Sequence, residues 1–193
     1  ALTVSKGHAI MMTSAGEIQT VSFDRAEQLT HKKPVFVCYR PYIAQRLNSD
    51  TFFAYDILEL YAFVHPAAFC VPTIRGVCQA LGLNVPQDHD DEPIALLDCA
   101  TALLQDLQTQ IHDEDTKSKI LNMAAVMGLN GRGWLWTPFV FEALGHTYNP
   151  QEPILSSNGL NVWKKLDEWA EQAPPPPPSH HSVTGEESRE RLK

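Results

Sequence analysis

The sequence predicts an α/β fold, with a mixed sheet flanked by helices and a helical extension at its carboxyl end. Short apolar runs rich in β-branched residues alternate with longer segments of helical periodicity, which is typical of sheets covered by helices. Hydrophobic residues make up 44% of the 193-residue chain, enough for a buried core. We expect a compact domain in residues 1–148 and a tryptophan- and proline-rich linker in residues 149–193.

Four segments are predicted to be strands. His8–Thr13 and Glu17–Ser22 flank a short Ser-Ala-Gly connection and predict a hairpin. Pro34–Cys38 is apolar throughout, which indicates a strand buried on both faces. Thr51–Tyr55 is a further short strand.

The helices are predicted from apolar periodicity and from residues that start or stop a helix. They are Phe23–Leu29 (a helix or a turn), Pro41–Leu47, Asp56–Val64, Val71–Leu81, Pro93–Ile111, Ser118–Met127 and Pro138–Leu144. In the longest one, an apolar stripe is formed by Leu96, Ala100, Leu103, Leu107 and Ile111.

Several classes of protein are excluded by composition. No apolar run approaches the roughly 18 residues that span a bilayer, and the chain does not open with a signal peptide, so we expect no membrane partner. The four cysteines form no C-x-x-C pair, which predicts reduced thiols and a cytoplasmic protein.

The negative charge is concentrated in one stretch. Asp88–Asp115 holds nine acidic residues and no Lys or Arg, whereas the rest of the chain is nearly balanced. The chain therefore lacks the basic excess of an autonomous nucleic-acid binder, and we expect only weak DNA affinity from this segment alone. The acidic stretch is interpreted as a solvated loop and helix face.

No metal site is predicted. Asp88–Glu92 and His112–Asp115 are dense clusters of potential ligands, but neither has EF-hand spacing, which favours exposed acidic turns. The chain contains no G-x-x-x-x-G-K-[ST], no G-x-G-x-x-G and no G-x-S-x-G.

Four segments in order are similar to one nuclease family. Val35–Leu47 is similar to its second motif region, Ala54–Leu60 to its "x-D-T-L-x-L" segment, Ile74–Leu83 to its following helix, and Pro93–Ala100 to its third motif. Over residues 8–111 the chain resembles the DnaQ-like (DEDD) 3′–5′ exonucleases, which implies a ribonuclease H-like fold.

The resemblance also implies where the chemistry is missing. The family uses four carboxylates to hold two metal ions that align water and the leaving oxygen. Here the first motif falls in Ile10–Thr13, which has no acid, the second-motif Asp falls at Ile43, and the third-motif His falls at Pro93. Asp98 alone remains, as a vestigial candidate, since Asp56 matches a position that is mainly structural. We therefore expect no catalytic residue.

A second resemblance concerns the carboxyl-terminal segment. Leu160–Trp163, Glu168–Trp169 and Pro174–His181 are similar to the segment that leads into the core of bacterial DinG-type superfamily 2 helicases. Thr184–Glu187 matches a helix capping box, and the helix that it begins would stop at Lys193. This suggests a fragment whose helicase core, which would bind ATP and Mg²⁺, lies outside the chain. No cofactor is expected here.

The resulting hypothesis is an accessory domain of an ATP-dependent DNA helicase, with DNA and its own helicase core as partners. Lys32, Lys33, Arg40 and Arg46 are the predicted nucleic-acid contacts. One alternative is an active nuclease with displaced ligands in Asp88–Glu92 or Asp113–Asp115. Another is a protein-interaction module that uses the proline run and the tryptophans Trp134, Trp136, Trp163 and Trp169.

Overall fold

The computed structural model describes residues 1–50, 52–110 and 113–151, and these residues form an α/β fold. The tryptophan- and proline-rich linker and the expected terminal helix lie outside the described residues, apart from positions 149–151. No helix in the described part of the chain combines the length and the apolar character needed to cross a bilayer.

The described residues contain five strands and seven α-helices. The strands are β1 (Leu2–Val4), β2 (Ala9–Met12), β3 (Ile18–Val21), β4 (Val35–Val37) and β5 (Ala54–Asp56). The helices are α1 (Phe23–Thr30), α2 (Arg40–Leu47), α3 (Ile57–Val64), α4 (Ile74–Ala80), α5 (Glu92–Gln110), α6 (Glu114–Gly128) and α7 (Thr137–Ala143).

The opening strand is β1, which the sequence does not predict. It pairs antiparallel with β2, with Thr3 opposite Ile10. The predicted position of the first motif, Ile10–Thr13 in the opening strand, is wrong, because those residues belong to the second strand and the turn after it. Leu2–Ser5 contains no acidic residue either, so the motif remains incomplete at the new position.

The predicted hairpin is confirmed as β2 and β3, which pair antiparallel with Met12 opposite Ile18. The Thr13 amide donates to the Glu17 carbonyl oxygen at 2.9 Å and closes the turn. Gly16 has a φ of +83°, in the left-handed region that only glycine adopts without strain. The turn chemistry thus explains why the chain reverses at this point.

The strands predicted at Pro34–Cys38 and Thr51–Tyr55 form the parallel pair β4 and β5, with Phe36 opposite Tyr55. The second begins later than predicted, at Ala54, and ends at Asp56. Helix α2 supplies the crossover that a parallel pair requires. Strand β1 lies next to β4, so the antiparallel strands and the parallel pair are neighbours.

Strand alternation separates the two faces of these strands. Leu2, Ala9, Val35 and Val37 belong to a buried cluster with Ala26 of α1 and with residues of α2. The intervening residues point to the opposite face, where α5 packs against β1, β2 and β4. Helices therefore cover the strands on both sides, as the sequence predicts.

The helix starts follow their capping residues. Ser22, Asp56, Thr73 and Asp113 each accept a backbone N–H in the first turn of the helix that follows. The helix predicted at Ser118 begins four residues earlier, because Asp113 caps it. In α5 the predicted stripe is buried at Leu96, Ala100, Leu103 and Leu107, whereas Ile111 lies outside the described residues.

Candidate nucleic-acid interface

The positions that the resemblance assigns to metal ligands do not form a metal site in the described part of the chain. Ile43 is 4% exposed and packs in the cluster between the strands and α2. Pro93 is buried in the first turn of α5. Asp98 is exposed on α5 and keeps its carboxylate in solvent. Within residues 1–50, 52–110 and 113–151, no three His, Cys, Asp or Glu side chains come together to hold a metal ion.

Asp56 has the structural role that the resemblance implies. Its side chain is 2% exposed, and its carboxylate accepts hydrogen bonds from the backbone amides of Tyr39, Arg40 and Leu58 at 2.9, 2.6 and 3.0 Å. These three amides compensate the cost of burying the charge. Asp56 therefore joins the end of β4 to the starts of α2 and α3.

Tyr39 connects β4 to α2 in a conformation that tyrosine rarely adopts. Its φ is +63°, and the hydrogen bond from its amide to Asp56 helps to hold it there. Its ring is 44% exposed, and that of Tyr42 on the first turn of α2 is 45% exposed. Two accessible aromatic rings thus flank Arg40.

Arg40 and Glu59 face each other at the carboxyl end of β4. The guanidinium Nη2 lies 3.6 Å from the Glu59 carboxylate. Burial raises the pKa of Glu59 above its ordinary value, the nearby charge of Asp56 adds to that increase, and Arg40 opposes it. Arg40 is therefore partly neutralised within the chain.

The four predicted DNA contacts occupy different places. Lys32 and Lys33 precede β4, whereas Arg40 and Arg46 belong to α2, which follows it. Arg46 donates from Nη2 to the Ser5 carbonyl oxygen at 3.1 Å, and its guanidinium lies 5.4 Å from the ring centre of Phe23. The two lysines are exposed. That all four contact nucleic acid stays a prediction.

An open cleft of about 650 Å³ lies beside the two lysines. Its walls come from Ala1, the end of β2 with the hairpin turn, β3, the end of α1 with the segment that leads into β4, the start of β4, and α5. Its apolar lining includes Met12, Phe36 and Leu97. We call this feature the hairpin cleft. None of the motif positions Ile43, Pro93 and Asp98 lines it.

The sequence could not reveal the hairpin cleft, because its walls come from segments that are distant in sequence and meet only in the folded chain. The one signal in the sequence was the Lys-Lys pair directly before an apolar strand. Phe36 was recognised as part of that strand and not as part of a site.

The acidic clusters contact nearby basic side chains, and Glu92 of the first cluster is itself buried. Glu92 lies 2.9 Å from Nδ1 of His89 and 3.6 Å from Nε of Arg75. On α6, Asp115 pairs with Lys119. His112 lies outside the described residues. These contacts indicate that the two clusters are acidic residues at or near the starts of α5 and α6.

The two tryptophans within the described residues do not form the exposed surface that an interaction module would need. Trp136 is 1% exposed and belongs to the core, so its predicted role as a contact is wrong. Trp134 is half-buried and packs on Phe63, with 4.7 Å between ring centres. Trp163, Trp169 and the proline run lie outside the described residues.

No family model, curated protein or solved structure matches this chain.

Proposed function

We propose that this chain is an exonuclease-like accessory domain of an ATP-dependent DNA helicase, without nuclease activity of its own, that holds a DNA single strand for the motor. The proposal draws on the two resemblances in the sequence. An antiparallel β1–β2–β3 arrangement next to a parallel pair, with helices on both faces, agrees with the fold expected from the first resemblance.

One observation carries the non-catalytic part of the proposal. The side chain at the second-motif position is Ile43, and the core cluster encloses it. A buried isoleucine supplies no oxygen, and Mg²⁺ requires several oxygen ligands from protein and water. Asp98 remains, but it faces solvent on α5. No group of three potential metal ligands forms among the described residues, so Asp98 has no partners with which to hold the metal ions that align a phosphodiester.

The DNA-holding part rests on the exposed basic and aromatic side chains. Lys32 and Lys33 are free to approach phosphates, and Tyr39 and Tyr42 offer ring faces beside Arg40. Proteins that bind single strands without sequence preference combine cationic grooves with stacking rings. The overall charge of −8 keeps this affinity low, so most of the binding energy would come from the helicase core.

A nuclease assay tests the non-catalytic part. The 193-residue chain is incubated with a labelled single-stranded oligonucleotide and Mg²⁺ or Mn²⁺, alongside Asp98→Asn. We expect an intact oligonucleotide in both reactions. Cleavage by the original chain that Asp98→Asn abolishes would establish the rival function, an active exonuclease with displaced ligands.

A second test concerns the helicase context. The gene downstream of the Lys193 codon should encode G-x-x-x-x-G-K-[ST], the phosphate-binding loop of the motor. The chain joined to that core should unwind DNA with ATP and Mg²⁺ more efficiently than the core alone. Equal unwinding by the two forms would refute an accessory role.

A further inference from the structure

The hairpin cleft has a floor that is flat, aromatic and fixed in place. The ring of Phe36 stacks on Tyr55, with 4.9 Å between centres and an interplanar angle of 24°. Trp136 meets both rings edge-on at 5.6 and 5.3 Å and is itself buried. Tyr55 does not line the cleft, so of the two stacked rings only that of Phe36 is available to a ligand in the cleft.

Two further apolar side chains line the cleft, beside the polar Thr13, Ser14 and Gln19. Met12 comes from the end of β2, and Leu97 comes from the face of α5 that covers the strands. Methionine adjusts to different shapes and makes favourable contacts with aromatic rings. A flat, weakly polar ring system therefore fits between Phe36 and these two side chains.

The rim carries positive charge. Lys32 and Lys33 both line the cleft, and both are exposed. The ligand must then combine a flat ring with a negative group one short linker away. A nucleotide has this combination, since its base, sugar and phosphate are joined in that order. The volume of about 650 Å³ lies within the range of small-ligand sites.

We propose that the hairpin cleft binds one nucleotide of a DNA single strand, with the base on Phe36 and the flanking phosphates at Lys32 and Lys33. The inference rests on the proposed function, because it names the place where this domain holds the strand. The site is separate from three of the positions that the resemblance assigns to metal ligands, since none of Ile43, Pro93 and Asp98 lines it.

The first experiment measures fluorescence anisotropy of labelled single strands about 15 nucleotides long, near the upper site size of small binding domains. One strand is oligothymidine, and the other has the same phosphates without bases. The original chain should bind oligothymidine roughly tenfold more tightly, because stacking on Phe36 requires a base. Phe36→Leu should lose most of this preference while keeping its affinity for the abasic strand.

A second experiment tests whether binding depends on the charge of Lys32 and Lys33 and on their position beside the cleft. Lys32→Ala/Lys33→Ala should weaken binding to both strands and lower the slope of log K against log salt by about 1.4, as expected when two phosphate contacts are lost. Lys117→Ala/Lys119→Ala on α6 removes the same charge away from the cleft and is the matched control. Equal weakening by the two double variants would overturn the proposal.

A third measurement uses the unaltered chain, so it does not depend on a variant that folds. Oligonucleotide carrying 5-iodouracil is bound and irradiated, and the crosslinked peptide is identified by mass spectrometry. We expect crosslinks at Phe36 or Met12. Crosslinks confined to Tyr39 or Tyr42 would overturn the cleft as the site and leave the proposed function intact. No binding of any strand by the original chain, alone or joined to its core, would refute the proposed function itself.

Discussion

The indole N–H of Trp136 donates a hydrogen bond to the backbone carbonyl of Asp56 at 2.9 Å, across 80 positions of sequence. Asp56 also uses its carboxylate to hold the amides that begin α2 and α3. A single residue at the end of β5 thus connects the parallel strands, both following helices and the segment that begins α7. Most of the stability predictions depend on this junction.

Asp56→Ala should lower the free energy of unfolding by about 3 kcal/mol or more. The substitution leaves three backbone amides without the acceptor that they share, and each buried donor costs about 1 kcal/mol or more when unpaired. Urea unfolding followed by circular dichroism measures the loss. Asp98→Ala, on the exposed face of α5, is the control and should change the value by less than about 0.5 kcal/mol. Similar losses in the two variants would contradict the assigned role.

Trp136→Phe should cost about 2 kcal/mol. It keeps an aromatic ring against Tyr55 but removes the donor to the Asp56 carbonyl and leaves a small cavity in the core. Phe69→Ala removes a ring that is 85% exposed and should be nearly neutral. Thermal unfolding of the three proteins gives the comparison, and an unchanged midpoint for Trp136→Phe would show that the bond is dispensable.

Glu59 should make stability fall as the pH rises. Its pKa is raised in the folded chain above the ordinary value of 4.5, mainly by burial. Between pH 4.5 and the raised pKa, the folded state therefore binds more protons than the unfolded state, and the free energy of unfolding declines as the pH rises through this range. Glu59→Gln removes this contribution. The stability of the variant relative to the original chain should therefore increase from about pH 4, which lies below the ordinary glutamate pKa, to about pH 7. A difference that does not vary with pH would contradict the prediction.

Cys78 and Cys99 should resist thiol reagents until the chain unfolds. Both are fully buried, and their sulfur atoms lie 3.5 Å apart between α4 and α5. Donation of its S–H to Cys78, together with burial, raises the pKa of Cys99, which disfavours the reactive thiolate. Timed N-ethylmaleimide labelling with peptide mass spectrometry should find Cys70, which is partly exposed, modified first. Early labelling of Cys99 would refute this packing.

Local patterns predict much of the fold, because several elements carry their own signals. The apolar run at β4 and the hairpin turn at Gly16 are recognisable without knowledge of their neighbours. Helix α5 has the expected exposed side, which includes Asp98. Each of these signals comes from residues close in sequence.

Strand β1 could not be predicted in the same way. It has only three residues with a threonine at its centre, and its contact with β4 joins segments that are distant in the chain. The hairpin cleft likewise joins segments as far apart as Ala1 and Leu97, so local patterns do not predict it. The sequence singles out Lys32, Lys33, Arg40 and Arg46 together, but it could not show that only the two lysines line the cleft.

The placement of β1 beside β4 also affects how the chain is made. On the ribosome, β1 and β2 emerge together and can pair early, but β1 cannot pack against β4 until β4 has been synthesised. During that interval the nascent chain exposes Leu2, which later packs in one cluster with Val35 and Val37, and exposed apolar surface promotes association with other polypeptides. Slow translation between α1 and β4 should therefore increase the dependence of this protein on chaperones that shield emerging chains.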